Sequence, residues 1–115
     1  MEGWEDRELP GPYEILDLKD GESVRLRVVS WERGVAGFHF RRLPPGEVEM
    51  VRVLRVHLAA GSKAYPPHYW DIHQKRVISQ LLPLLLARGW QHYEYAVTKH
   101  GRPPEAWFTV EKVPL

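Results

Sequence analysis

The chain has no cysteine. That absence removes disulfides, thiolate nucleophiles and cysteine-ligated zinc together. Long apolar runs are missing too. The densest, around residues 81–86, is interrupted by Pro83 and followed by Arg88, well short of the ~18 residues of a membrane-spanning helix. The opening Met-Glu-Gly-Trp-Glu-Asp has no apolar core of the secretory kind, so a cytoplasmic chain is expected. Neither a Walker loop nor a Gly-x-Gly-x-x-Gly turn occurs, which leaves nucleoside triphosphates and dinucleotides without an anchor. Serine is confined to Ser23, Ser30, Ser62 and Ser79, none in a Gly-x-Ser-x-Gly elbow. Glu47 and Glu49 share a strand face but have no third group to complete acid–base chemistry. His68, Asp71 and His73 are the closest set of metal-ligating types, yet their spacing fits no metal template and Asp71 reads as a helix cap. The expectation is a chain that is not an enzyme and holds no metal or cofactor.

What is present is a charge split. The 115 residues carry sixteen bases and fifteen acids, a formal +1, and are 43% hydrophobic, which suits one domain with its own core. Residues 1–20 hold seven acids against Arg7 and Lys19, so the rest of the chain is basic. Pro10-Gly11-Pro12 and few apolar residues mark 1–12 as an acidic flexible arm ahead of a single domain at 13–115. Such an arm can lie across a basic face or recruit a basic protein partner, and its deletion is expected to leave thermal stability nearly unchanged. Ten prolines, no cysteine and two methionines suit a thermophile.

Alternation supplies the elements. Tyr13 to Leu18 reads as a short strand, and Val24, Leu26 and Val28 then alternate with Arg25, Arg27 and Val29. Strict alternation places Trp31 with the arginines, away from the core. Gly34 and Gly37 bracket an expected hairpin into a strand over 38–42, closed by Pro44-Pro45-Gly46. The run 48–57 is apolar on both parities, which suggests a bulge near Val53. Residues 60–70 read as an aromatic loop, and Asp71 with Gln74 as the cap of a helix whose stripe is Ile72, Val77, Ile78, Leu81, Leu82 and Leu85, kinked at Pro83 and stopped at Gly89. Tyr93, Tyr95 and Val97, then Trp107, Phe108 and Val110, form a closing antiparallel pair.

Cations and rings recur together along Arg25, Arg27 and Trp31, along His39, Arg41 and Arg42, and along Lys63, Tyr65, Tyr69 and Trp70. A ring stacks on an unpaired base while a neighbouring cation neutralises its phosphate. With the first short strand set aside, the order from Ser23 to Val113 is three strands, a helix and two strands. With Arg25-Leu-Arg-Val-Val-Ser-Trp31 and Gly37-Phe-His-Phe-Arg41, this resembles the OB-fold single-stranded DNA-binding proteins, especially small phage or thermophile forms.

The resemblance implies a mainly β, α+β domain: a small antiparallel OB-like five-stranded barrel with an extra N-terminal strand and one helix between the third and fourth barrel strands. It implies sequence-tolerant binding of single-stranded DNA, with RNA as the other candidate, in replication, repair or strand protection, and it admits a homo-oligomer. Trp31 and His39 are then the stacking rings and Arg25, Arg27, Arg41 and Arg55 the phosphate ligands. Lys63, Tyr65, Tyr69 and Trp70 join them from a loop that is a less usual platform in that family. The acidic C-terminal tail of bacterial members is absent, so recruitment through such a tail is not implied. The alternative is a protein-interaction or regulatory module of a phage or mobile element, with the 65–70 loop as its anchor, because Tyr, Trp and Arg also dominate protein hot spots.

Overall fold

Val24 and Leu26 turn inward and Ser23 and Arg25 outward over strand β1, Ser23–Leu26. After Arg27 the chain continues as β2, Val28–Phe38, and the two differ in partner rather than in direction. β1 pairs with β5, Tyr93–His100, whereas β2 pairs with β3, Glu49–Leu58. At the joint, Arg27 N donates to Ser62 Oγ at 3.1 Å and Arg27 O accepts Ala59 N at 2.9 Å. β4, Tyr69–Ile72, extends the second sheet from β3, and β6, Trp107–Pro114, extends the first from β5. Every ladder between these strands is antiparallel. The computed structural model describes residues 6–63, 65–102 and 105–115. Among them the chain is mostly β, six strands in two three-stranded sheets with one helix, and no ladder joins β4 to β6 to close a barrel.

Helix α1, Lys75–Leu86, buries Val77, Ile78, Leu81 and Leu85 and runs through Pro83, which lies on its solvent side. Its N-cap is Gln74, without a side-chain cap bond. The expected cap, Asp71, is instead buried on β4. The stripe packs against Leu26, Val28, Leu54, Val56, Leu58, Trp70, Tyr95 and Val97, and Leu16 and Leu18 complete this core from an extended segment that joins no sheet. The expected first strand over 13–18 is therefore corrected; its one strand-like bond is Asp71 N to Glu14 O at 2.9 Å. No helix among the described residues is long and apolar enough to cross a membrane.

Two further corrections concern β2 and β3. The expected hairpin at 33–37 is absent, because Gly34 and Gly37 are paired inside β2 opposite Val53 and Met50; the chain reverses over 39–48, where Gly46 has a φ of +83°. The bulge lies at Val29, between the pairs Val28–Leu58 and Ser30–His57, and not near Val53. One extra residue moves every later side chain to the opposite face.

The unbroken burial of Val53, Leu54, Arg55 and Val56 arises because both faces of β3 are covered. Leu54 and Val56 face the helix, while Val53 meets Ala36 and Leu9 of the N-terminal segment. That segment is no free arm over residues 7–12. Leu9 N donates to Val35 O at 2.9 Å, Val35 N donates to Arg7 O at 2.8 Å, and Leu9 is 3% exposed. Gly34 permits the crossing: a Cβ there would stand 2.6 Å from Arg7 O and 2.7 Å from Leu9 Cγ. Residues 1–5 lie outside the described residues.

Candidate nucleic-acid interface

The register of β3 with β4 sorts the predicted residues into two faces. Val56 and Leu54 oppose Trp70 and Ile72, and His57 and Arg55 oppose Tyr69 and Asp71. Trp70 is thus a core residue, 3% exposed and edge-on to Phe108 at 5.9 Å, not a stacking ring of a loop. Arg55 is 1% exposed, so it does not reach a phosphate. Its Nε and Nη2 donate to the two oxygens of Asp71 at 2.7 and 2.9 Å, its Nη1 donates to Pro10 O, and the guanidinium lies 4.1 Å over the Tyr69 ring. Burial works to lower the Arg55 pKa, but the hydrogen bonds and charge of Asp71 outweigh it and hold the pKa above its ordinary value. Lys63 is likewise spent, its Nζ donating to Glu14 Oε2 at 2.8 Å and to the carbonyls of Pro67 and Tyr69 at 3.2 Å each. Those bonds use all three donors of an ammonium group. Tyr69 is half-buried and donates its hydroxyl to Pro12 O at 2.5 Å.

Trp31 follows from the Val29 bulge. It stands opposite Val56 and packs, half-buried, against the main core, with Arg33 at 5.9 Å from its ring. The expected outward face is corrected, since alternation was interrupted two residues earlier. The remaining candidates do lie at the surface. Arg25 is exposed and 4.0 Å from Glu94, and Arg27 is exposed at the joint between sheets with no side-chain partner among the described residues. His39 Nδ1 donates to Glu47 O at 2.7 Å in the β2–β3 reversal, where Arg41 is exposed and also without a partner. Tyr65 is 78% exposed beside a recess whose walls include Asp17 and Glu22 as well as Lys63.

Sequence reading missed a ring cluster below that reversal. Phe38 meets Tyr13 at 4.7 Å, Phe40 at 4.7 Å and His73 at 4.6 Å. Tyr13 Oη and His73 Nδ1 are 2.6 Å apart. Burial, aided by the negative charge of Asp71, pushes the Tyr13 hydroxyl up, and burial pushes His73 down. The contact fits a Tyr13 hydroxyl that donates to a neutral His73 ring. Arg42 sits 5.1 Å from the Phe40 ring and pairs with Glu49. The signal available in the sequence was Phe38-His-Phe-Arg-Arg42 itself; its packing against Tyr13 and His73 required the fold. No protein-family model matches the chain, and no curated protein or solved structure does either. Neither fold nor site borrows a role from a relative.

His68, Asp71 and His73 do not converge, since both Asp71 oxygens are held by Arg55 and His73 by Tyr13. No group of three metal-ligating side chains that could hold an ion occurs among the described residues.

Proposed function

We propose that this chain binds single-stranded nucleic acid without sequence selectivity, with DNA the ligand to test first, on an OB-like framework. The strand pairing supports the framework. β1 and β2 act as one strand divided at Arg27, pairing with β5 on one side and β3 on the other; β3 pairs with β4, the helix follows, and β5 pairs with β6. That is the OB order short of the β4–β6 ladder. The observation that carries the ligand is the end of the β2–β3 hairpin, where Phe38 and Phe40 lie among Tyr13 and His73 beside exposed Arg41, which has no side-chain partner among the described residues. Rings that stack bases next to cations that displace counterions need no covalent chemistry.

A labelled oligo-dT titration at two salt concentrations tests this. With at least three phosphate contacts, among them Arg25, Arg27 and Arg41, log affinity falls against log salt with a slope of roughly −2 or steeper. A flat response, or equal affinity for a duplex, sinks the reading. The second reading, a protein-interaction module, draws on Val48 and Met50, 58% and 48% exposed at the same hairpin end. Stoichiometric co-purification of a protein through these residues, with no oligonucleotide affinity, would put it first.

A further inference from the structure

The open seam between β4 and β6 is lined in a way that suits a nucleotide. Where a closing strand would bond to β6, α1 supplies one side chain: Gln80 Nε2 donates to Phe108 O at 2.9 Å and Gln80 Oε1 accepts Val110 N at 3.0 Å. Ahead of that clasp two recesses, of about 160 and 210 Å³, share Gln74, Ala106 and Phe108 as walls. Phe108 and Trp70 make an aromatic floor. Arg76 lines one recess and Lys99 the other, and neither has a side-chain partner among the described residues. The Trp107 ring is no part of that floor, since it stacks on His100 at 4.2 Å on the opposite face of β6. At one end is Tyr13, whose ring touches Phe38, so the furrow continues into the hairpin cluster.

Charge distinguishes this furrow from the recess beside Tyr65. There Asp17 and Glu22 are among the lining residues. Here the one carboxylate in the walls, Asp71, is neutralised by Arg55. The Gln74 amide, exposed and unused as a helix cap, offers both a donor and an acceptor and so accepts any base edge.

We propose that the furrow is a nucleotide subsite of the single strand, taking a base against Phe108 with Arg76 and Lys99 on the flanking phosphates. This rests on the single-strand reading above. It places the path from the hairpin end across Tyr13 into the seam, through residues that sequence reading left out.

The test uses the full chain and labelled oligo-dT. Phe108→Ala is expected to weaken binding about tenfold and Phe108→Tyr to bind nearly as wild type. The double variant Arg76→Gln with Lys99→Gln should reduce the magnitude of the salt slope by about 1.4, at roughly 0.7 per lost phosphate contact. Arg88→Ala, exposed beyond the far end of α1, should bind as wild type. Amide shifts of the unmutated chain on adding oligo-dT should concentrate at Gln74, Ala106 and Phe108, which keeps the test independent of how any variant folds. Wild-type binding with unshifted furrow amides, or with Phe108→Ala and the double variant unaffected, overturns the subsite and leaves the single-strand reading standing. Failure of the wild type to bind overturns that reading and the subsite with it.

Discussion

The two sheets differ in how many faces they hide. Sheet β1–β5–β6 is covered on one face: Tyr95 and Val97 are buried, and the opposite side is a polar lattice in which Ser23 bonds Thr98 at 2.6 Å and His100 bonds Thr109 at 2.9 Å. Sheet β2–β3–β4 is covered on both, by α1 on one side and residues 7–12 on the other. A sheet with one dry face is written as alternation. A sheet with two is written as a continuous run, and any charge caught in that run must bring its own counter-charge, as Arg55 brings Asp71.

Removing the counter-charge should break this difference most severely. Asp71→Ala strands the Arg55 guanidinium in the interior and should cost about 3–5 kcal/mol, read as a shift in the urea midpoint. A loss below about 1 kcal/mol would mean that the second face admits water. Next comes the cover itself: Leu9→Ala, which empties the small cluster with Ala36 and Val53, should cost about 2–3 kcal/mol. A neutral result there would return residues 7–12 to the free arm that their composition implied.

Acid should loosen the edge of that cover. Glu32 accepts from His57 Nε2 at 2.6 Å and from Arg7 Nη2 at 2.7 Å. Its pKa is held below the ordinary 4.5, chiefly by the His57 hydrogen bond, against an opposing burial effect and with help from the charges of His57 and Arg7. A depressed folded pKa means that the stabilisation is present above 4.5 and is lost as pH falls through the folded value. His73, depressed by burial, adds an earlier loss that begins as pH falls through 6.5. Thermal midpoints measured from neutral to acid should therefore decline in two stages, and Glu32→Gln should flatten the lower one. Smallest of all is the open lattice of the other sheet. Arg25→Ala, where the one ion pair among the described residues is to Glu94 at 4.0 Å, should change stability by less than about 0.5 kcal/mol.

Helix α1 and the β5–β6 pair were legible because each presents one apolar face to one core, and period 3.6 or 2 reports that directly. The rest depended on contacts distant in sequence. A single extra residue at Val29 turned Trp31 inward, and nothing in Val28-Val29-Ser30 announces it. Gly34 looked like a turn residue but is where Arg7 and Leu9 pass close over β2. Of the site candidates, Arg25, Arg27, His39, Arg41 and Tyr65 stand at the surface, where an exposed loop or strand parity put them. Arg55 carried a usable signal: an arginine between Leu54 and Val56, in a strand apolar on both parities, is more readily explained by a buried carboxylate than by solvent. Lys63 and Trp70 carried none, since their partners Glu14 and Phe108 lie far away along the chain.

The joint at Arg27 also orders the assembly of the molecule in time. Phe38 and Glu49 meet across a short reversal, so the β2–β3 ladder can zip locally once 39–48 has turned. Leu26 and Tyr95 meet only after β3, β4 and α1 have been traversed, at a loop-closure cost roughly 1.6 kcal/mol larger. A continuous extended segment is thus split by Arg27 into an early half and a late half, and the pairing of β1 with β5 is the latch that fastens one sheet to the other.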